Sequence, residues 1–208
     1  LGYESALTRR ADERWHNLGA HVLWIGERTR QLDGGHVEYS RGIRNPIGVK
    51  LSSSAGPEEV VRLSEILNPL NDPGRLMLIT RMGRQAVRDH LPPLVEAMQQ
   101  AGREAAWLCD PMHGNTTTTP SGRKTRPFDA ILEELQESFS IHQQMNSRLA
   151  GVHFELTGSQ VTECIGGAEA LGVEDLEHNY ESWCDPRLNY MQSMEMAFLI
   201  SQFLRARG

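Results

Sequence analysis

Five short apolar runs, each ending in polar or charged residues, set the rhythm of this chain. They are His21-Val22-Leu23-Trp24-Ile25, Pro46-Ile47-Gly48-Val49-Lys50-Leu51, Arg75-Leu76-Met77-Leu78-Ile79-Thr80, Ala105-Ala106-Trp107-Leu108-Cys109 and Gly151-Val152-His153-Phe154-Glu155-Leu156. Short runs without polar alternation read as strands buried on both faces. Segments with helical spacing stand between them. Tyr3 to His16 carries Ala6, Leu7, Ala11 and Trp15 near that spacing. Pro57 opens PEEVVRLSEIL, with Glu58 and Glu59 in the first turn where the helix dipole favours them. Arg84 to Gln100 is helical in pattern but holds Pro92-Pro93, where a kink or break is expected. Phe128 to Met145 places Ile131, Leu132, Leu135, Phe139 and Ile141 on one stripe. Tyr190 to Arg205 is a terminal helix with Met194, Ala197, Phe198, Ile200 and Leu204. Gln31 to Asn45 is mixed, and Asn115 to Arg126 is a long polar loop. Strand tips recurring at roughly 30 residues predict an α/β domain over residues 1–208, with a parallel sheet covered by helices. Five strands are too few for a closed eight-stranded barrel, which usually takes ~250 residues.

Composition narrows the classes. Charged residues at 23% and hydrophobic ones at 39% argue against disorder. No apolar run approaches the ~18 residues of a membrane span. The net charge of −6 leaves no nucleic-acid footprint. Cys109, Cys164 and Cys184 form no disulfide framework, and no signal peptide is legible, so a reducing cytoplasm is the expected compartment. Of 21 basic residues only Lys50 and Lys124 are lysines. Arginine suits bidentate recognition of phosphate and carboxylate, although a high-GC coding bias gives the same skew.

The chemistry sits at the strand tips. In sequence order they offer Glu27-Arg28, Lys50, Arg81, His113 and Glu155. Plain turn chemistry would place Gly, Asn, Asp or Ser there. Three tips with a cation followed by two with metal-type ligands suggest one site for an anion and a metal, on the face where (β/α) folds build function. His113 and Glu155 with Asp185 make a set suited to Mn²⁺, Co²⁺, Fe²⁺ or Zn²⁺. Cys184 is a fourth candidate, disfavoured because neighbours on extended backbone point apart. Read singly, His113 is a structural histidine, Glu155 a salt-bridge partner, and Arg28 with Arg30 a solvated pair.

Longer stretches carry a resemblance. WIGERTRQLDGGHVEYSRGIRNPIGVK, RLMLITRMG, CDPMHGNT, KTRPFD, GVHFELTGSQVTEC and CDPRLNYMQSMEMAFL resemble the class II, plant-type 3-deoxy-D-arabino-heptulosonate 7-phosphate (DAHP) synthases across nearly the whole chain. The resemblance implies a (β/α)₈ TIM barrel of which this chain holds strands four to eight. It implies condensation of phosphoenolpyruvate with erythrose 4-phosphate, the first step of the shikimate pathway, with a divalent metal, commonly Mn²⁺ or Co²⁺. By motif, the metal ligands fall on His113, Glu155 and Asp185. The phosphoenolpyruvate contacts fall on Glu27, Arg28, Lys50 and Arg81. Lys50 is the expected proton relay, and Glu27 is expected to hold the attacking water. The family's cysteine ligand and further basic residues belong to early strands that have no counterpart here, so the missing N-terminal half is an implied partner and a homo-oligomer the expected assembly. Two alternatives stay open: another metal-dependent barrel aldolase, and a non-catalytic half-barrel that binds or assembles.

Overall fold

All five apolar runs become strands of one parallel sheet. The computed structural model describes residues 1–205. In chain order the elements are α1 (Gly2–Ala6), β1 (Thr8–Ala11), β2 (Arg14–Asn17), β3 (Leu23–Ile25), α2 (Gly35–Gly42), β4 (Ile47–Leu51), α3 (Pro57–Leu67), β5 (Leu76–Thr80), α4 (Val87–Gln100), β6 (Ala106–Cys109), β7 (Thr117–Thr118), β8 (Lys124–Thr125), α5 (Phe128–Gln144), β9 (Leu149–Val152) and α6 (Tyr190–Arg205). The main sheet runs β3-β4-β5-β6-β9, and every neighbour is parallel.

Register decides what each face of the sheet carries. Val49 pairs with Leu78 and Leu78 with Trp107, while Leu51 pairs with Thr80 and Thr80 with Cys109. Side chains alternate along a strand, so these residues share a face. They are buried with Leu63 and Leu67 of α3, Leu91 and Leu94 of α4, and Ile131 and Leu135 of α5. The opposite face receives Trp24, Lys50, Ile79 and Leu108, and one pleat further on Arg81, Asp110 and His153. Trp24 and His153 lie at opposite edges of the sheet, yet their rings meet edge-on at 5.5 Å. The sheet therefore curls around this second face. An α/β fold with a curved parallel sheet agrees with part of a barrel.

Several expectations need correction. Tyr3 to His16 is not one helix. After α1 the chain forms the β1–β2 hairpin, turning at Asp12 and Glu13, both at positive φ. Tertiary bonds override weak helical spacing there: Asn17 and Asn45 exchange hydrogen bonds of 2.8 and 2.9 Å. Gln31 to Asn45 contains α2. Helix α4 starts at Val87 and runs through Pro92 and Pro93 without a break. The two carbonyls this frees belong to Arg88 and Asp89, which are exposed, so water serves them. The last strand begins two residues earlier than expected, at Leu149, and ends four residues earlier, at Val152. Beyond it the backbone changes partner, with Leu188 N donating to Glu155 O at 3.0 Å and Thr157 N to Leu188 O at 2.9 Å. The Asn115–Arg126 loop is not featureless, because β7 and β8 pair within it.

Among the described residues the main-sheet edges of β3 and β9 stay unpaired. A groove of about 380 Å³ beside β3 is lined by Leu7, Val22, Leu23 and Tyr39 among others, and Phe198 of α6 is 64% exposed. Unpaired edges with apolar flanks template association. Expressed alone, the 208-residue chain is expected to scatter light above monomer mass and to melt broadly. A sharp monomer peak with cooperative unfolding would contradict this.

Candidate metal and anion site

The curled face opens into a cleft of about 730 Å³. Glu27, Arg28, Lys50, Arg81, His113, Glu155 and Asp185 all line it, so the seven residues given a role by motif reach one space, while Cys184 does not line it. Trp24, Lys124 and His153 line it too and were not anticipated.

His113 begins a short 3-10 turn, His113–Asn115, separated from the end of β6 by Asp110-Pro111-Met112. Its Nδ1 bonds Asp110 Oδ2 at 2.7 Å. Its Nε2 lies 3.2 Å from Glu155 Oε1 and 4.0 Å from Asp185 Oδ2. One ligand atom from each of His113, Glu155 and Asp185 lies within 4.8 Å of the others. One imidazole nitrogen and two carboxylate oxygens fit a divalent ion of borderline-to-hard character. Cys184 is exposed, with Sγ 4.0 Å from Asp185 Oδ2, and lies outside this trio.

Each ligand is held from behind. Asp110 is wholly buried and supports His113. Arg126, also wholly buried, donates to Glu155 Oε2, to Pro186 O and to Thr116 Oγ1. Glu163 grips the loop that carries Asp185: it accepts from Ser182 N at 2.8 Å, Arg187 N at 2.8 Å and Arg187 Nη2 at 2.6 Å. Sequence reasoning missed all three as supports. Asp110 carried a signal in its i, i+3 spacing to His113. Arg126 and Glu163 carried none, because their partners lie 29 and 24 residues away.

The charges shift one another. Hydrogen bonds to Asp110 and Glu155 push His113 up to about 9. Burial would raise Glu155, but His113 and Arg126 overcome it and hold it at about 2. Burial likewise opposes Asp110, yet His113 and Lys50 keep it far below the usual carboxylate range. Burial, with Lys50 nearby, lowers His153.

The cations divide into two kinds. Lys50 pairs with Asp110, Lys124 with Asp185 at 3.0 Å, and Arg30 with Glu27 and Glu59. Arg30 is thus a buried strut rather than half of a solvated pair. Arg28 and Arg81 have no side-chain partner among the described residues, and Arg81 Nε is buried without one. Glu27 is ionised: burial raises it, but Arg30 and Ser52 hold it below its usual value. Its Oε1 accepts from Arg30, Ser52 Oγ and Ser54 Oγ, while Oε2 accepts only Ser52 N at 2.7 Å.

The tips of β5 and β6 meet through two glycines. A Cβ on Gly114 would sit 2.3 Å from Gly83 N, and Gly83 has φ +84°. No side chain fits that contact. Glu134 of α5 locks it, accepting from Met82 N at 2.8 Å and Asn115 Nδ2 at 2.7 Å.

A family model for class-II DAHP synthetases matches residues 1–201. The chain belongs to the class-II DAHP synthetase family. It is 49% identical over 212 residues to "Phospho-2-dehydro-3-deoxyheptonate aldolase AroG" of Mycolicibacterium smegmatis, covering 99% of this chain and 46% of that protein. It is 49% identical over 208 residues to "Phospho-2-dehydro-3-deoxyheptonate aldolase" of Streptomyces coelicolor, with the same coverage of 99% and 46%. The chain thus spans about half the length of these relatives. Among solved structures, the modular autolysin LytC from Streptococcus pneumoniae in complex with a synthetic peptidoglycan ligand overlaps at a TM-score of 0.42 and 13% identity, over 70% of this chain and 37% of that one. That overlap is too low to bear on fold or function. No helix among the described residues is long and apolar enough to cross a membrane.

Glu134 yields a pH test. Burial, helped by the charge of Asp110, lifts it from 4.5 to about 7 against the pull of its Met82 and Gly83 N–H donors. The folded state then keeps a proton that the unfolded chain releases. Stability from this group is complete below the ordinary carboxyl value and is lost as pH rises through about 7. Glu134→Gln should remove this decline, so its urea midpoint relative to the parent should rise between about pH 5 and about pH 8. A constant difference across that range would show that Glu134 does not titrate there.

Proposed function

We propose that this chain carries the metal and phosphoenolpyruvate sites of a DAHP synthase, on strands four to eight of a TIM barrel, in a cytoplasmic homo-oligomer completed by an N-terminal half that corresponds to the remaining length of its relatives. The observation that carries the reading is one cleft holding both a His-Glu-Asp trio and two arginines that have no side-chain partner among the described residues.

Arg28 and Arg81 grip the phosphate by charge-assisted hydrogen bonds. Lys50, which follows Val49 on a fully buried strand, meets the carboxylate or bridging oxygen and relays a proton. Glu27 orients the attacking water through Oε2, which accepts only Ser52 N. His113, Glu155 and Asp185 would hold Mn²⁺ or Co²⁺, which when bound would supply Lewis-acid polarisation of the aldehyde of erythrose 4-phosphate. The new carbon–carbon bond joins C3 of phosphoenolpyruvate to the aldehyde carbon. Water adds at C2, and inorganic phosphate leaves.

The deciding experiment is product analysis with both substrates, in the protein assembled with its N-terminal half. DAHP and phosphate in equal amounts are expected, and absence of DAHP would sink the reading. His113→Ala should weaken Mn²⁺ binding at least about ten-fold; unchanged affinity would remove the trio. Arg81→Lys keeps the charge but loses the planar fork. It should raise the KM for phosphoenolpyruvate roughly ten- to a hundred-fold and leave Mn²⁺ affinity nearly unchanged. A drop in Tm with wild-type kinetics would instead make Arg81 a structural ion pair.

A further inference from the structure

Asp110 is buried, and both its oxygens are in use. Oδ1 accepts from the backbone N–H groups of Met112 at 3.1 Å and His113 at 3.2 Å. These bonds fix the turn to the strand end. Oδ2 joins two side chains: Lys50 Nζ and His113 Nδ1 both reach this one atom. Because Nδ1 is taken, His113 presents Nε2 to Glu155 and Asp185. A carboxylate behind a ligating imidazole sets its tautomer and ring angle and makes it a stronger donor.

We propose that Asp110 is a positioning residue that couples the two halves of the cleft, setting His113 for the metal ion and Lys50 for the anionic substrate through one shared oxygen. This rests on the reading of the cleft given above. A carboxylate oxygen that serves two donors divides its electron density between them. Whatever draws Lys50 away leaves more of it for His113, and whatever fixes His113 changes what Lys50 feels. Such coupling is reciprocal between the two ligands.

The test uses the assembled enzyme and Mn²⁺ alone, with free ion read by electron paramagnetic resonance and no substrate present. Asp110→Asn should weaken Mn²⁺ binding roughly 10- to 100-fold in protein shown by circular dichroism to be folded. Lys50→Met should tighten it about threefold or more, because a competing donor and a nearby positive charge are removed. Lys50 touches none of the trio; a plain charge effect would persist in the Asp110→Asn background, so a gain that is lost in the double variant reports the shared oxygen, and a gain that persists there would overturn the coupling. Wild-type Mn²⁺ affinity in either folded variant would overturn the coupling. Where Asp110→Asn does not fold, Lys50→Met alone decides. Failure of the parent enzyme to bind Mn²⁺ is a different result, since it removes the metal site and the proposed function together.

Discussion

Lys50 and Asp110 are buried charges, and neither is tolerable alone. The lysine side chain is 7% exposed and the aspartate is not exposed. Stripping water from one such group costs several kcal/mol, and removing one partner of a buried pair typically costs about 3–5 kcal/mol. The pair can exist only if β4 and β6, which are not neighbours, hold their side chains on one face with β5 between them. Parallel register does this, because Lys50 lies opposite Ile79, Ile79 lies opposite Leu108, and Asp110 follows Leu108 by one pleat. A one-residue slip of either strand would send one charge into the apolar helix-covered layer. The pair therefore enforces the register that also aims Arg81 and His153 into the cleft.

The same principle repeats outward. Asp110 backs His113, Arg126 backs Glu155, and Glu163 fastens the loop of Asp185. The donors of the trio come from three separate segments, and each is fixed by a buried partner of opposite charge or by that partner's grip on the backbone. Arg126 also accounts for the partner change after β9. It donates to both Glu155 and the Pro186 carbonyl, which draws segments 155–157 and 186–188 into the bridge seen between Leu156 and Leu188. Leaving the sheet at Val152 thus brings two metal-type ligands together.

The sequence was legible where one local pattern sufficed. Apolar runs located every strand of the main sheet, and the charged tips all reached the cleft, although Trp24, Lys124 and His153 line it without having been anticipated. The resemblance then gave each tip a role. Local pattern failed where long-range bonds decided. The β1–β2 hairpin depends on Asn17 meeting Asn45, 28 residues away. The end of β9 depends on a segment more than thirty residues downstream, and ~30 residues is already a whole βα unit. The proline pair in α4 misled for a different reason: its freed carbonyls face water, so the penalty that normally breaks a helix is small. Asp110 shows a third kind of miss. It was visible beside His113, but only the parallel register reveals that Lys50 shares its oxygen.

The arginines show how structural and functional charge are told apart. Arg30, Arg75 and Arg126 each leave one buried nitrogen without a partner, yet their other donors are engaged. Arg30 bonds Glu27, Glu59 and Ser54, Arg75 bonds the carbonyls of Leu67, Ser40 and Ile43, and Arg126 bonds Glu155, Pro186 and Thr116. Those three are struts with one imperfect joint. Arg81 differs: its Nε is buried and unmatched, and no other donor of its side chain meets the protein among the described residues. A half-buried guanidinium with nothing to bind weakens a fold, since an unmatched buried donor costs about 1–3 kcal/mol. Folds accept such a cost where a ligand supplies the missing acceptors. Arg28 is exposed and likewise has no side-chain partner among the described residues, so two cations face the open cleft beside a trio whose donor set suits a third. That arrangement is poorly matched to a neutral partner and well matched to a multiply charged anion bound next to a metal.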